Sequence, residues 1–150
     1  MSKLKQQLYL LCGDYIKKKE SEIRTVIAEA QDAANNETKS SAGDKFETGR
    51  AIMQQEIELN LERLSELNKM KQTLERIIPD QKGSMAQAGS VVCTNNGSYY
   101  IAIGAGQLRV DGKLFYAISV ASPIGAKLAG QKAGASFTWN GKQYIIDSVA

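Results

Sequence analysis

The sequence predicts an α+β protein of two domains: an N-terminal antiparallel α-helical coiled-coil hairpin, then a small antiparallel β-sheet domain with one short helix. Three observations predict it. Apolar residues recur with a helical period through residues 1–80, with no proline before Pro79. Beyond about residue 89 the period changes to two and is broken by Asn-Gly and Asp-Gly turns. Charge changes at the same place: residues 1–80 hold 13 Lys/Arg and 14 Asp/Glu, residues 81–150 hold 6 and 2.

The first helix opens on Leu4, Leu8, Leu11 and Tyr15, then moves over by one residue to Ile16, Ile23, Ile27, Ala30 and Ala34. Such a narrow seam on a charged helix must be covered by a partner helix. Gly13 is its weak point, costing about 1 kcal/mol relative to alanine. The turn-formers between Asn35 and Gly43 end it, placing a tip near residues 36–48. A second stripe follows at Phe46, Met53, Ile57, Leu61, Leu64, Leu67, Leu74 and Ile78. Two amphipathic helices joined by a polar turn pair antiparallel, because neither seam tolerates water alone.

Pro79 closes the hairpin, and residues 79–89 read as a linker to a second domain over 81–150. Short strands are expected at Val91–Cys93, Tyr99–Ile103, Leu108–Val110, Leu114–Ile118, Phe137–Trp139 and Tyr144–Ile146, with turns at Asn95-Asn96-Gly97, Asp111-Gly112 and Asn140-Gly141. Ser122-Pro123 reads as a helix cap with proline in the first turn, starting a short helix from Ile124 to Ala129 that stops at Gly130.

Composition excludes several classes of activity. The chain has 150 residues and no histidine, which removes Ser-His-Asp and Cys-His relays and histidine-containing zinc sites. Cys12 and Cys93 lack metal-ligand spacing and read as small buried hydrophobes rather than a disulfide or a nucleophile. No apolar run approaches the roughly 20 residues that cross a bilayer, and the N-terminus opens a periodic helix, so a cytoplasmic protein with no membrane partner is expected. A net charge of +3 is too small for a protein that coats nucleic acid.

The stretch that carries chemistry is Gly43-Asp44-Lys45-Phe46-Glu47, at the hairpin tip. Asp44 and Glu47 fit a capping box, with Asp44 at the N-cap and Glu47 reaching back to its amide. Two carboxylates three residues apart also share a helix face and can contribute oxygens to a hard cation such as magnesium. An exposed pair lacks the remaining ligands, so it would need an acceptor site that already holds metal and phosphate. The spacing leaves both readings open.

Together, the tip and the second domain resemble the bacterial transcript-cleavage factors of the GreA/GreB type. Ser122-Pro123-Ile124-Gly125-Ala126-Lys127-Leu128-Ala129-Gly130-Gln131-Lys132-Ala133-Gly134 is similar to that family's Ser-Pro, small/basic helix, Leu-x-Gly-Lys-x-x-Gly signature. Gly43-Asp44-x-x-Glu47 matches its Gly-Asp-x-x-Glu tip at a similar distance from the N-terminus. The resemblance implies an FKBP-like second domain and an accessory factor, not an enzyme. Its coiled coil would enter the secondary channel of a backtracked RNA polymerase, whose own site then cleaves the RNA 3′ end. Asp44 and Glu47 would assist magnesium held in the polymerase active site, the chain having no cofactor of its own. Ser122 and Pro123 would mark the surface that binds the polymerase. Contact with the nascent RNA 3′ end would be indirect, and no sequence-specific DNA binding is implied. Two positions depart from the family: Ala121 stands where Asp or Asn usually precedes Ser-Pro, and Gln55 falls on the basic position along the tip helix.

Two other classes fit parts of the sequence. A regulator that occupies the same channel without promoting cleavage would accommodate Ala121 and Gln55. An FKBP-like folding helper would use Tyr99, Tyr100, Phe115, Tyr116, Phe137 and Trp139 as a groove, whereas a small sheet needs these residues for its core.

Overall fold

Helical structure carries further along the chain than its turn-forming residues suggest. The computed structural model describes residues 2–40, 44–79 and 82–150, and side chains over 3–36, 49–79 and 82–150. Helix α1 spans Ser2–Ser40 and helix α2 spans Asp44–Glu75. Asn35 and Asn36, expected to begin the turn, are helical. Asparagine and serine each cost only a few tenths of a kcal/mol within a helix. Without glycine or proline they do not end one.

The chain divides into two compact units: residues 1–15 with 71–150, and residues 16–70. The second contains only the later part of α1 and most of α2. Among its described side chains the buried ones are Ile16 and Ala30 on α1, and Ile57, Asn60 and Leu67 on α2. The α2 seam therefore differs from the expected stripe. Leu61 is 51% exposed while its neighbour Asn60 is buried, and beyond the end of α2 Ile78 is 61% exposed while Ile77 is buried. Met53, Ile57, Asn60, Leu64, Leu67 and Leu74 follow the four-three alternation of a heptad. Leu61 lies about 100° round the helix from Asn60 and falls off that line.

Asn60 tolerates burial because both ends of its amide are bonded. Nδ2 donates to the Glu56 carbonyl at 2.8 Å, and Oδ1 accepts from Arg63 Nη1 at 3.3 Å.

The first unit is built on six strands: β1 Val91–Thr94, β2 Gly97–Ile101, β3 Gly106–Val110, β4 Lys113–Ile118, β5 Ser136–Trp139 and β6 Lys142–Val149. Their order is β3-β4-β2-β1-β6-β5. The sheet is mixed rather than antiparallel, because β2 and β4 pair parallel in the register Tyr99↔Tyr116. After β2 the chain passes over one strand position. The tight β3–β4 hairpin then returns β4 into the gap, where its direction matches β2.

Two of the expected hairpin turns carry left-handed residues in both central positions. Asp111 and Gly112 have φ of 52° and 78°, and Asn140 and Gly141 have 52° and 76°. That pattern matches the right-handed twist of the flanking strands. The β1–β6 register slips between Cys93 and Thr94. Beyond the slip, Asn95 takes over the pairing, its Oδ1 accepting from the Ile145 amide at 2.7 Å.

Strand registers sort the side chains onto two faces. Val92, Tyr99, Tyr144 and Ile146 form a core with Ile124 and Leu128 of helix α3, Pro123–Leu128. Tyr100, Phe115 and Val110 alternate with the first set and lie on the opposite face. The base of α1 meets this second face, with Cys12 and Tyr9 beside the Tyr100 hydroxyl. Leu8, Cys12 and Tyr100 are each 0% exposed.

The stretch expected as a linker is partly packed. Ala86 is 2% exposed, its amide donates to the Gln131 carbonyl at 2.8 Å, and its carbonyl accepts from the Gly130 amide at 2.8 Å.

Candidate functional site

The two halves of the expected site lie in different units. Asp44 begins α2, and Glu47 follows one turn into it. Their side chains, with those of Lys45 and Phe46, lie outside the described residues. Along the same helix Arg50 and Gln55 are exposed. On α1, Arg24 Nε is paired with Glu20 Oε1 at 3.1 Å, four residues apart. Among the described residues, no group of three or more Asp, Glu, Cys or His side chains is placed to hold a metal ion.

Ser122 and Pro123 start α3, and their geometry explains why this residue pair occurs there. Ser122 is the N-cap, with extended backbone (φ −69°, ψ 156°), and Pro123 occupies the first helical turn where no amide partner is needed. Ser122 Oγ accepts from the Gly125 amide at 3.0 Å and donates to the Ser119 carbonyl at 2.7 Å. Its hydroxyl is thus committed on both sides. Pro123 is exposed, as are Ala121 and Val120, and together they put a small apolar edge at the start of the helix.

Gly125 is the residue whose importance the sequence conceals. A Cβ built on it would lie 1.9 Å from the Ser119 carbonyl oxygen. No side chain fits there, so the cap can close over the helix only on glycine. The readable signal was a glycine inside a helical stretch, three residues after its cap.

The aromatic side chains are committed to packing. Phe137 stacks on Tyr144 with centroids 5.1 Å apart, and Trp139 meets the same ring edge-on at 6.2 Å. Tyr99, Tyr100 and Phe115 are buried, while Tyr116, Phe137 and Trp139 are half-buried. Burial raises the hydroxyl pKa of Tyr99, and the neighbouring Tyr144 hydroxyl raises it further. Tyr100 is raised too, first by burial and then by Cys12 and Tyr9. Its hydroxyl has no hydrogen-bond partner among the described residues.

Both cysteines are free thiols. Burial pushes Cys12 up to about 12, which leaves it protonated and unreactive at neutral pH. Cys93 is half-buried and accepts a hydrogen bond from Ser98 Oγ at 3.6 Å.

These features define an α+β protein with a long two-helix unit and a six-stranded mixed sheet capped by one short helix. Comparison with family profiles, curated proteins and solved structures gives no match to this chain.

Proposed function

We propose that this chain is a transcription elongation factor. In this reading it binds RNA polymerase through the secondary channel and stimulates cleavage of the backtracked RNA 3′ end by the polymerase's own active site. The observation that carries the reading is the pairing of two features in one chain. The Asp and Glu of a Gly-Asp-x-x-Glu sequence fall in the first turn of the second of two long helices, and a Ser-Pro-capped helix with an exposed proline lies in a separate sheet unit. The two helices act as an antiparallel coiled coil, and the sheet unit as an FKBP-like docking domain.

In this account Asp44 and Glu47 contribute carboxylate oxygens to magnesium in the polymerase site, where two-metal chemistry activates the attacking water. Two carboxylates leave most ligand positions to the polymerase, so the chain is an accessory factor without a metal of its own. Pro123, with Ala121 and Val120, supplies the apolar contact to the polymerase. Ser122 acts by holding that edge in place, since its hydroxyl is already bonded on both sides.

A second reading is favoured by two particular residues: Gln55, uncharged and exposed on α2, and Ala121, apolar and exposed before the cap. A regulator that occupies the channel without cleavage fits both. One experiment separates the readings: purified chain is added to stalled elongation complexes from the source organism, following polymerase binding and RNA length together. Binding with magnesium-dependent shortening of the RNA supports the cleavage factor. Binding without shortening supports the regulator, and absence of binding removes both.

A further inference from the structure

The sheet ends on an edge that can accept another strand. β3, Gly106–Val110, is the terminal strand and pairs with β4 without a register slip. The two-residue turn Asp111-Gly112 makes Val110 and Lys113 a hydrogen-bonded pair, so the amides and carbonyls of Val110, Leu108 and Gly106 face β4. Those of Gln107 and Arg109 face outward. The strand has no proline and no bulge, and the one charge it carries is Arg109.

Beside this edge is an open groove of about 320 Å³ lined by Gln7, Leu10 and Leu11 of α1 and by Arg109, Val110 and Asp111. Leu10 is 64% exposed, although it stands on the apolar wall of this groove. A strand added along β3 would place its residue opposite Val110 on the α1 face, into the groove. Its next residue would lie opposite Arg109 on the other face.

We propose that β3 is a docking edge for an extended protein segment with an aliphatic-acidic-aliphatic core. The Gln107 and Arg109 main chains supply the hydrogen bonds, which only an extended chain can match at that two-residue spacing. The groove takes an aliphatic side chain opposite Val110, and Arg109 pairs with a carboxylate directly across the strands. A second copy of this chain fits less well. Centring a symmetric pair on Arg109 sets like charges directly opposite, and the register that sets Gln107 against Arg109 instead leaves the guanidinium without a carboxylate. This inference is independent of the polymerase reading.

The probe is a blocked peptide, Ser-Lys-Val-Glu-Val-Thr-Ser, with its binding to the full chain measured by fluorescence polarisation. Saturable binding is expected. Gln107→Pro and Arg109→Pro each remove one outward amide, at positions where an edge strand tolerates proline, and each should weaken binding about tenfold or more. Leu10→Asp should do the same by placing charge in the groove. Arg109→Glu should lose the peptide and regain affinity for a version with lysine in place of its glutamate. Circular dichroism and the thermal midpoint report that each variant is folded. The proposal is overturned by three results: no saturable binding at millimolar peptide, equal binding by folded proline variants, or self-association of the chain that those variants abolish.

Discussion

The Ser122 hydroxyl and the Gly125 amide meet at 3.0 Å, over a backbone so close that Gly125 has no room for a Cβ. The cap and the glycine therefore act as one device. Ser122→Ala should cost about 1 kcal/mol, the usual value of an N-cap. Gly125→Ala should cost more, about 3 kcal/mol or above, because the clash is with the Ser119 carbonyl rather than a movable side chain. Urea unfolding of the two variants checks both the order and the gap.

Asn60 is 3% exposed within the helical seam, where a leucine would pack without a polar group. Replacing it leaves little stranded. The Glu56 carbonyl keeps its helical amide partner, and Arg63 is exposed to water. Asn60→Leu should thus raise stability by about 1 kcal/mol, while a wider range of helix pairings becomes accessible. A higher thermal midpoint with new oligomers in sedimentation is the expected result.

Burial of Cys12 makes stability depend on alkaline pH. Its folded pKa of about 12 lies above the ordinary thiol value of 9.0, so the unfolded chain loses the proton first as pH rises. Below about pH 8 the thiol is neutral in both states and contributes no pH dependence. Above it the unfolded state gains, and stability falls as pH approaches 12. Between about pH 8.5 and 10 the loss should be about 1 kcal/mol, and Cys12→Ala should remove it. Tyr99 and Tyr100, raised in the same direction, steepen the decline at still higher pH.

The sheet needs the start of α1. Tyr100 and Phe115 are 0% and 1% exposed on the face that α1 covers. Uncovering either costs about 1.5–3 kcal/mol. A fragment of residues 81–150 should bind a hydrophobic dye and unfold without a sharp transition. A chain joining residues 1–15 to 71–150 through a short Gly-Ser link should unfold cooperatively, because it keeps one whole unit. Calorimetry of the two fragments is the check.

What could be read from the sequence was whatever is decided locally. The Asp111-Gly112 and Asn140-Gly141 turns were legible because few other residues adopt their positive φ. Ser122-Pro123 was legible as a cap for the same kind of reason. The choice of Asn60 over Leu61 was not, since apolarity pointed to the leucine while the seven-residue repeat placed the asparagine in the seam. The parallel β2–β4 pair was also hidden: its cause is which strand fills a spatial gap, and that is decided between hairpins, not within one. The close approach of Gly125 to Ser119 is likewise a contact across a bend, and its only trace in the sequence is the absence of a side chain.

Whether Asp44 and Glu47 assist cleavage is tested by RNA cleavage in stalled elongation complexes with the Asp44→Asn, Glu47→Gln double variant. Both substitutions keep side-chain shape and remove charge. The variant should still bind polymerase, and magnesium-dependent cleavage should fall by about a hundredfold or more, on the scale of about 2.7 kcal/mol lost from the transition state. Unchanged cleavage by a folded, polymerase-bound variant would contradict that role and leave the two carboxylates as a helix cap.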